Sequence, residues 1–391
     1  MRSRRSGRSD AGRRGAKPLD PILDEKAFVG ICYPSRELFR NENRLFMPAS
    51  TTKLYTSWLA CETLGEDFSF HSEYSVQGRT LYLSPMGNPL LSEESLSGLL
   101  EEIAGRTIEE IVFSRGFLRI PPYPSTWVIA DVREAWGAPI SDLCFRENYA
   151  TATCSERIMM TPSSSYYSVR TVKGLEKPSL RGRVVSLPPG FSGTFDFPIR
   201  NPEDFLFHWL RERIPGSPSK KRTGRLRGTP IPFAQAPLRD VLRSMNKKSS
   251  NILAELLLAH SARARGTRLD YVDALLVFND ALRRIGVRDA RLYDGSGVSR
   301  YNLVSPAGTV ALLKACTTYR SIVDSLPIGG KDGTLAGRKL PRRVRAKTGS
   351  LTGVQALAGY DGDEPFSIVI NHGPPDERVM VQAIDRIVRG H

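Results

Sequence analysis

The stretch Pro48-Ala49-Ser50-Thr51-Thr52-Lys53 stands immediately before an apolar segment with helical spacing. Proline and small residues suit the first turn of a helix, and Gly65 is expected to end this one. On such a helix the hydroxyl of Ser50 and the amine of Lys53 lie one turn apart on the same face, within reach of a hydrogen bond. This is the geometry of a nucleophile beside its base.

A serine hydroxyl is a weak nucleophile at neutral pH, so Ser50 needs a base. Lys53 can serve only if its surroundings keep the amine partly deprotonated. We expect a neighbouring lysine ammonium to lower the pKa of Lys53 by electrostatic repulsion. A second amine must then come from elsewhere in the chain.

Two later segments carry further polar side chains. Ser249-Ser250-Asn251 precedes an apolar helical segment, and taken alone it is better explained as an ordinary N-cap. Lys347-Thr348-Gly349-Ser350 ends a predicted strand, where Gly349 allows close approach of the backbone to a ligand and Lys347 offers a cation to a carboxylate. Each string is weak by itself, but the three in the order SxxK, SxN and KTG are rare.

With these motifs the chain resembles the S13 family of D-alanyl-D-alanine carboxypeptidases, low-molecular-mass class C penicillin-binding proteins with a large domain inserted after SxxK. Far more residues separate Lys53 from Ser249 than separate Asn251 from Lys347, as such an insertion requires and a compact β-lactamase does not. The resemblance covers roughly residues 20–390. It extends to Met47-Pro48-Ala49, Gly87-Asn88-Pro89-Leu90, Gly137-Ala138-Pro139-Ile140-Ser141, Met245-Asn246-Lys247, Tyr293-Asp294-Gly295-Ser296-Gly297 and Asp332-Gly333-Thr334-Leu335.

The resemblance implies an α/β fold. It comprises a β-lactamase/transpeptidase-like domain, in which an antiparallel sheet is flanked by helices and joined to a helical subdomain, and an inserted α+β domain. We expect a discontinuous catalytic domain at residues 20–66 and 226–391, an accessory domain at residues 67–225, and a basic disordered tail at residues 1–19.

Several elements are predicted from the residue pattern itself. Short β-like runs punctuated by Gly and Pro fill residues 67–225, and helical spacing returns from about residue 226. Helices are predicted at 252–260 and 269–285, with another beginning at Ser305-Pro306. Strands are predicted at 343–347, 354–360 and 366–371, followed by an amphipathic helix after Pro374-Pro375.

The resemblance also implies a function, that of a serine-type D-Ala-D-Ala carboxypeptidase acting on peptidoglycan peptides through an acyl-enzyme on Ser50. DD-endopeptidase activity is compatible with it, and β-lactams are implied as covalent inhibitors. Lys53 would take the Ser50 proton, and Ser249, joined to Lys53 and Lys347, would pass a proton to the leaving amine. Asn251 would orient Lys53 and the substrate amide.

The same resemblance implies the substrate contacts. Lys347 and Thr348 would bind the terminal carboxylate beside Gly349, and the oxyanion would sit between the backbone N–H groups of Ser50 and Ser350. Two alternatives stay open: a β-lactamase or esterase-like hydrolase with the same nucleophile, and a non-catalytic protein that binds a cell-wall polymer. Asp294-Gly295-Ser296-Gly297 lacks the lysine of a phosphate-binding loop and is predicted to be a turn.

The charge distribution and the cysteine spacing limit which binding partners, metals and disulfides the sequence predicts. The 391-residue chain carries a formal net charge of +15, much of it in residues 1–17. A second basic cluster, residues 220–227, is predicted to be a solvated linker or loop, with binding to an anionic cell-wall polymer as the alternative. Nothing predicts specific nucleic-acid binding. The cysteines show no metal-ligand spacing, so no metal or cofactor is predicted, and Cys144 and Cys154 are either a disulfide or buried thiols.

The cell compartment is implied by the resemblance alone. The family acts outside the cytoplasmic membrane, in the periplasm or at the cell surface. No apolar run is long enough to predict a membrane span, and no apolar segment of signal-peptide length follows the basic N-terminal residues.

Overall fold

A computed structural model describes residues 27–118, 120–266 and 271–390. The predicted tail at residues 1–19 and the predicted helix start at residue 269 lie outside these ranges. The helices are α1 (Thr52–Leu64), α2 (Glu93–Glu102), α3 (Pro202–Arg211), α4 (Leu238–Lys248), α5 (Asn251–Ala264), α6 (Tyr271–Arg284), α7 (Pro306–Cys316), α8 (Arg320–Ser325) and α9 (Glu377–Arg389). The strands are β1 (Phe28–Tyr33), β2 (Leu38–Arg40), β3 (Ser69–Gln77), β4 (Thr80–Ser84), β5 (Glu110–Ser114), β6 (Tyr149–Cys154), β7 (Ile158–Thr161), β8 (Ser168–Thr171), β9 (Ser179–Arg181), β10 (Val184–Leu187), β11 (Gly193–Pro198), β12 (Lys220–Gly224), β13 (Ile231–Pro237), β14 (Val344–Leu351), β15 (Val354–Asp361) and β16 (Glu364–Asn371).

An antiparallel sheet in the order β14-β15-β16-β1-β2 joins segments from both ends of the described chain. Its central strands are apolar on both faces because helices cover both. Leu357 packs with residues of α9, whereas its neighbours Ala358 and Tyr360 pack with the helical layer that includes α7. The three strands predicted near the end of the chain are present, and β14 continues to Leu351.

The helical layer is built around α1, which is buried on every side from Thr52 to Cys61. It packs against α4, α5 and α7, so that the start of α1 lies between the sheet and the other helices. Gly65 ends the helix as predicted, with its N–H donating to the Cys61 carbonyl at 3.0 Å. Ser305 caps α7 as predicted, because its Oγ accepts from the Gly308 N–H at 2.9 Å.

A second region lies between β3 and β13 and has its own apolar core. Its largest sheet has the order β12-β5-β4-β3-β13, and two three-stranded sheets, β8-β10-β9 and β11-β6-β7, accompany it. Because β3 and β13 pair antiparallel, the chain leaves and re-enters through neighbouring strands. β13 belongs to this sheet although it follows residue 225, and the division into a catalytic and an accessory domain stays a prediction.

The basic cluster at residues 220–227 is not a linker throughout. Residues 220–224 form β12, an edge strand parallel to β5. Charged partners explain why so basic a segment is extended: Lys221 pairs with Glu203 at 3.1 Å and Arg222 with Glu110 at 2.8 Å. The prediction of a solvated linker is therefore wrong for β12.

The cysteines of the chain all lie in the described ranges, and each is a buried free thiol. The thiol alternative for Cys144 and Cys154 is therefore the one that the structure supports. Within the same ranges no helix is both long and apolar enough to cross a bilayer.

Candidate active site

Ser50 lies in a 3-10 turn, residues 49–51, that leads directly into α1, and Lys53 lies in the first turn of the helix. Lys53 Nζ contacts three oxygen atoms: Ser50 Oγ at 2.9 Å, Asn251 Oδ1 at 2.7 Å and the Ser296 carbonyl at 2.6 Å. The amine is therefore held against the hydroxyl by two acceptors from distant parts of the chain.

Burial lowers the pKa of Lys53 to about 7, while the carboxylates of Asp294 and Glu255 act in the opposite direction. The expected low pKa is present, but desolvation, rather than a neighbouring ammonium, is its main cause. An amine with this pKa is partly neutral near neutral pH, as a base for Ser50 must be.

The SxN motif spans the junction of α4 and α5. Ser249 ends α4 in a left-handed conformation with φ of 62°, and Ser250 caps α5 through a hydrogen bond from the Leu253 N–H at 3.3 Å. The N-cap explanation therefore holds for Ser250, while Ser249 and Asn251 face the other motifs. Ser249 Oγ accepts from Lys347 Nζ at 2.8 Å, and the expected hydrogen bond from Ser249 to Lys53 is absent among the described residues.

Lys347 is completely buried in β14. Its Nζ donates to Ser249 Oγ and to the Thr348 carbonyl, each at 2.8 Å. Burial lowers the pKa of Lys347 well below its usual value, and the positive charge of Lys53 lowers it further. This amine lies behind Ser249 and Thr348, and does not line the cleft described below.

Gly349 has no room for a side chain. A Cβ at this position would lie 2.5 Å from the Pro48 carbonyl oxygen and 3.2 Å from the Ser50 nitrogen. The backbone of β14 is therefore packed directly against the Ser50 turn. Space, and not backbone conformation, therefore requires a glycine here, while its predicted role in the approach of the backbone to a ligand stays a prediction.

A loop of residues 294–299 completes the surroundings of Lys53. Its buried Asp294 accepts hydrogen bonds from the N–H groups of Gly297 at 2.8 Å and Ser299 at 2.6 Å, and its Ser296 carbonyl contacts Lys53. The sequence predicted only a turn here. The DGSG string was the available signal, but it does not show which carbonyl faces the lysine.

The region between β3 and β13 also reaches this site. Asn251 Nδ2 donates to the Trp136 carbonyl at 2.9 Å, and Trp127 Nε1 donates to Asp294 Oδ2 at 2.9 Å. Asp131 forms an ion pair with Arg300. Sequence analysis missed these residues, because loop contacts of this kind carry no spacing pattern.

A cleft of about 700 Å³ opens over Ser50. All eight predicted site residues lie in or directly behind it. Those that line it are Ser50, Ser249, Asn251, Thr348 and Ser350, together with Ala130, Asp131, Glu134, Trp136, Lys248, Gly297, Val298, Arg300, Thr334, Leu351, Thr352 and Glu377.

A family model described as D-Ala-D-Ala carboxypeptidase 3 (S13) matches residues 33–175 and 232–390 of the chain. The chain belongs to this family. It is thus a serine peptidase of the D-Ala-D-Ala carboxypeptidase class, as the three motifs predicted.

Individual relatives agree with the S13 assignment. D-alanyl-D-alanine carboxypeptidase DacB of Haemophilus influenzae is 35% identical over 381 residues, which cover 82% of this chain and 78% of the relative. The D-alanyl-D-alanine carboxypeptidase of Actinomadura sp. (strain R39) is 26% identical over 445 residues, covering 94% of this chain and 82% of the relative.

Solved structures confirm the predicted fold. The crystal structure of penicillin binding protein 4 (dacB) from Haemophilus influenzae superposes with a TM-score of 0.77 at 22% identity, covering 94% of this chain and 97% of that one. The structure of the same protein complexed with a β-lactam gives a TM-score of 0.70 at 21% identity, with the same coverage.

Proposed function

We propose that Ser50 is the nucleophile and Lys53 its base in the removal of the terminal D-alanine from peptidoglycan peptides. The observation that supports this most directly is the 2.9 Å contact between Lys53 Nζ and Ser50 Oγ, made by a buried amine whose pKa lies at about 7. Both the geometry and the protonation state that general-base catalysis needs are then present before substrate binds.

In the acylation step Ser50 Oγ attacks the carbonyl carbon of the penultimate D-alanine, and its proton passes to the Lys53 amine. The oxyanion is stabilised between the backbone N–H groups of Ser50 and Ser350. The close packing of Gly349 against the Ser50 nitrogen supports this placement. Each oxyanion donor of this kind is typically worth about 2.7–4 kcal/mol of barrier.

Collapse of the tetrahedral species breaks the C–N bond, and the leaving D-alanine nitrogen needs a proton. Ser249 is placed to donate it and to be reprotonated by Lys347, since its Oγ lies 2.8 Å from Lys347 Nζ. Asn251 holds Lys53 in position throughout. Before deacylation, the proton that Lys53 took from Ser50 returns to Lys347 through water in the cleft, which restores both amines. Water then attacks the ester with the neutral Lys53 amine as base, Ser50 Oγ takes up that proton as it leaves, and the shortened peptide is released.

The terminal carboxylate of the substrate is bound at the Thr348 end of the cleft. Thr348 and Ser249 line this end, and behind them the buried Lys347 amine donates a hydrogen bond to Ser249 Oγ, which leaves the Ser249 hydroxyl proton free for the carboxylate. β-Lactams carry a carboxylate of the same kind, and we propose that they acylate Ser50 and leave slowly. Endopeptidase action on cross-linked peptides is the second candidate activity, since the cleft is open and the fold is shared with a Bdellovibrio bacteriovorus predatory endopeptidase at a TM-score of 0.56.

A cell compartment and one further partner belong to this proposal. As for other members of the family, the enzyme acts outside the cytoplasmic membrane, where its substrate lies. The net charge of +15 supports additional attraction to an anionic cell-wall polymer through long-range electrostatics.

The decisive experiment combines covalent labelling with product analysis. Wild type should be labelled by a fluorescent penicillin, and should shorten a D-Ala-D-Ala pentapeptide by one alanine in mass spectrometry. Ser50→Ala should lose both activities because the attacking oxygen is gone. Ser155→Ala, at an exposed turn between β6 and β7, is the matched control and should retain both.

The same assays separate the alternatives. Rapid loss of label with turnover of penicillin would indicate a β-lactamase. A folded wild type that is neither labelled nor active on the pentapeptide would indicate a binding protein. A cross-linked muropeptide dimer, tested in parallel, reports the balance between endopeptidase and carboxypeptidase activity.

A further inference from the structure

Glu255 of α5 is a buried carboxylate to which the mechanism above gives no role. Its side chain is inaccessible to solvent and reaches the 294–297 loop. Oε1 accepts from the N–H of Gly295 at 3.2 Å and of Ser296 at 2.9 Å, and Oε2 accepts from Gly295 at 3.1 Å. A buried carboxylate that binds two successive backbone N–H groups fixes the orientation of the peptide between them.

The next peptide group, between Ser296 and Gly297, contributes a hydrogen-bond acceptor for Lys53. Its oxygen, the Ser296 carbonyl, lies 2.6 Å from Lys53 Nζ. On the far side the loop is packed against the nucleophile's turn. Gly297 has φ of 88°, and a Cβ there would lie 1.9 Å from the Ala49 carbonyl oxygen. The loop is thus confined between Glu255 and Ala49. A displacement of either residue would therefore move the Ser296 carbonyl.

We propose that Glu255 is a positioning residue for the acylation step, whose carboxylate holds the Ser296 carbonyl where it keeps the Lys53 amine against Ser50. This inference rests on the proposed roles of Ser50 and Lys53. It adds a residue of α5 that lies outside the three motifs and positions the Lys53 amine through the 294–297 loop.

The negative charge of Glu255 also affects the pKa of Lys53, and this effect can be measured separately from the position of the carboxylate. The described charged groups that face Lys53 are Glu255 from α5, Asp294 from the loop and Lys347 from β14. On the other helices around α1, Lys247 of α4 pairs with Asp332, Asp280 of α6 with Arg284, and Asp324 of α8 with Arg345, while Lys314 of α7 is exposed. The charged side chains that line the cleft over Ser50 are Lys248 of α4, Asp131, Glu134, Arg300 and Glu377. Glu255 and Asp294 raise the pKa of Lys53 against the effect of burial.

Two substitutions separate position from charge. Glu255→Gln keeps an oxygen that can accept from both N–H groups but removes the negative charge. The pKa of Lys53 should then fall, and the acid limb of the acylation rate should move to lower pH by about one unit, the size of effect expected from one nearby charge. Glu255→Asp keeps the charge but withdraws the carboxylate from the loop. It should leave the acid limb in place and lower the plateau rate by about tenfold or more.

The measurement is single-turnover acylation by a fluorescent penicillin between pH 5 and 9, expressed per folded molecule. Asp142→Asn is the matched control, because Asp142 is another buried carboxylate that accepts from two backbone N–H groups, Gly116 at 2.8 Å and Phe117 at 3.2 Å, away from the cleft. It should lower stability without moving the pH profile.

An acid limb in Glu255→Gln that matches wild type, or a Glu255→Asp plateau equal to wild type, overturns the inference while wild-type acylation at Ser50 stands. If Glu255→Asp does not fold, Glu255→Ala takes its place, because it also withdraws the carboxylate from both N–H groups and should lower the plateau rate in the same way; a plateau equal to that of Glu255→Gln would overturn the positioning role. Absence of acylation in folded wild type is a different result and refutes the proposed function itself.

Discussion

Two residues beside Ser50, the proposed nucleophile, adopt left-handed backbone conformations although neither is glycine. Ala49, immediately before Ser50, has φ of 48°, and Ser249 has φ of 62°. Each such conformation costs about 1–3 kcal/mol and persists only where the surrounding structure requires it. Here the burial of α1 and the junction of α4 with α5 enforce both. The sequence predicted which side chains meet. It could not predict the strained φ angles, because residue type carries no signature of them.

Replacement of one residue, Gly349, should test most directly how β14 is packed against Ser50. Alanine there would place a Cβ 2.5 Å from the Pro48 carbonyl oxygen and push β14 away from Ser50. We expect Gly349→Ala to slow acylation by a fluorescent penicillin about a hundredfold, the typical effect of a displacement of about 1 Å at a reacting centre. Ser350→Ala should have a much smaller effect, because Ser350 is proposed to act through its N–H, whereas its exposed hydroxyl hydrogen-bonds with Glu377 and Gln355.

Gly337→Ala is the control for this substitution. Gly337 is exposed, and a Cβ there would meet open space. It should be acylated at the wild-type rate, and a Gly349→Ala protein acylated equally fast would contradict the proposed packing of β14 against the nucleophile.

At the scale of elements, local pattern was reliable where an element buries a regular apolar face. The strands β15 and β16, with boundaries close to those predicted, and the start of α7 are examples, while β14 begins near the predicted residue but continues to Leu351. β12 was missed because it is basic and lies at a sheet edge, where ion pairs rather than apolar alternation stabilise it. The contribution of residues 127–137 to the site was also unpredictable, because these short irregular turns are placed by tertiary contacts.

The turn that carries Trp136 yields a prediction at this scale. A Cβ on Gly137 would lie 2.0 Å from the Asp131 carbonyl oxygen, so Gly137→Ala must displace the turn. The Trp136 carbonyl would then lose its hydrogen bond from Asn251, and Asn251 its fixed position beside Lys53. We expect acylation and pentapeptide hydrolysis to fall by about tenfold, measured as initial rates per folded molecule.

A glycine in α2 supplies the comparison for Gly137. A Cβ on Gly98 has no neighbour within 4 Å, and the residue lies within a helix. Gly98→Ala should therefore raise the free energy of unfolding by up to about 1 kcal/mol and leave the rates unchanged. If Gly137→Ala retained wild-type rates, the turn would have no part in positioning Asn251.

For the whole molecule, one partly exposed ion-pair network ties the first described segments to the last. Asp361 at the end of β15 accepts from Tyr33 Oη at 2.6 Å, from Arg36 at 3.2 Å and from Arg343 at 2.5 Å. Arg36 also donates to the Ile387 carbonyl near the end of α9, at 3.1 Å. Burial alone would raise the pKa of Asp361, but these hydrogen bonds outweigh it and hold the pKa below its usual value.

This network predicts the pH dependence of global stability. A carboxylate with a lowered pKa in the folded state stabilises the protein above its unfolded pKa of about 3.9, and the contribution is lost as pH falls through the folded value. Asp361→Asn should therefore unfold at lower denaturant concentration than wild type at pH 7, with a loss of about 2 kcal/mol, and the difference should shrink below about pH 4. Asp363→Asn, at the exposed turn after β15, should match wild type, and a loss in Asp361→Asn that is independent of pH would refute the argument.

The wide separation of the three motifs has a consequence for how the protein becomes reactive as it is synthesised. The nucleophile and its amine emerge from the ribosome first, the α4–α5 junction much later, and the strand that closes over them later still. In a nascent chain that contains only the Ser50–Lys53 segment, the lysine is solvated and protonated, so the serine is not activated. Chemical competence therefore requires β14 to pack against the Ser50 turn, so penicillin labelling during refolding would report that packing rather than the formation of α1 alone.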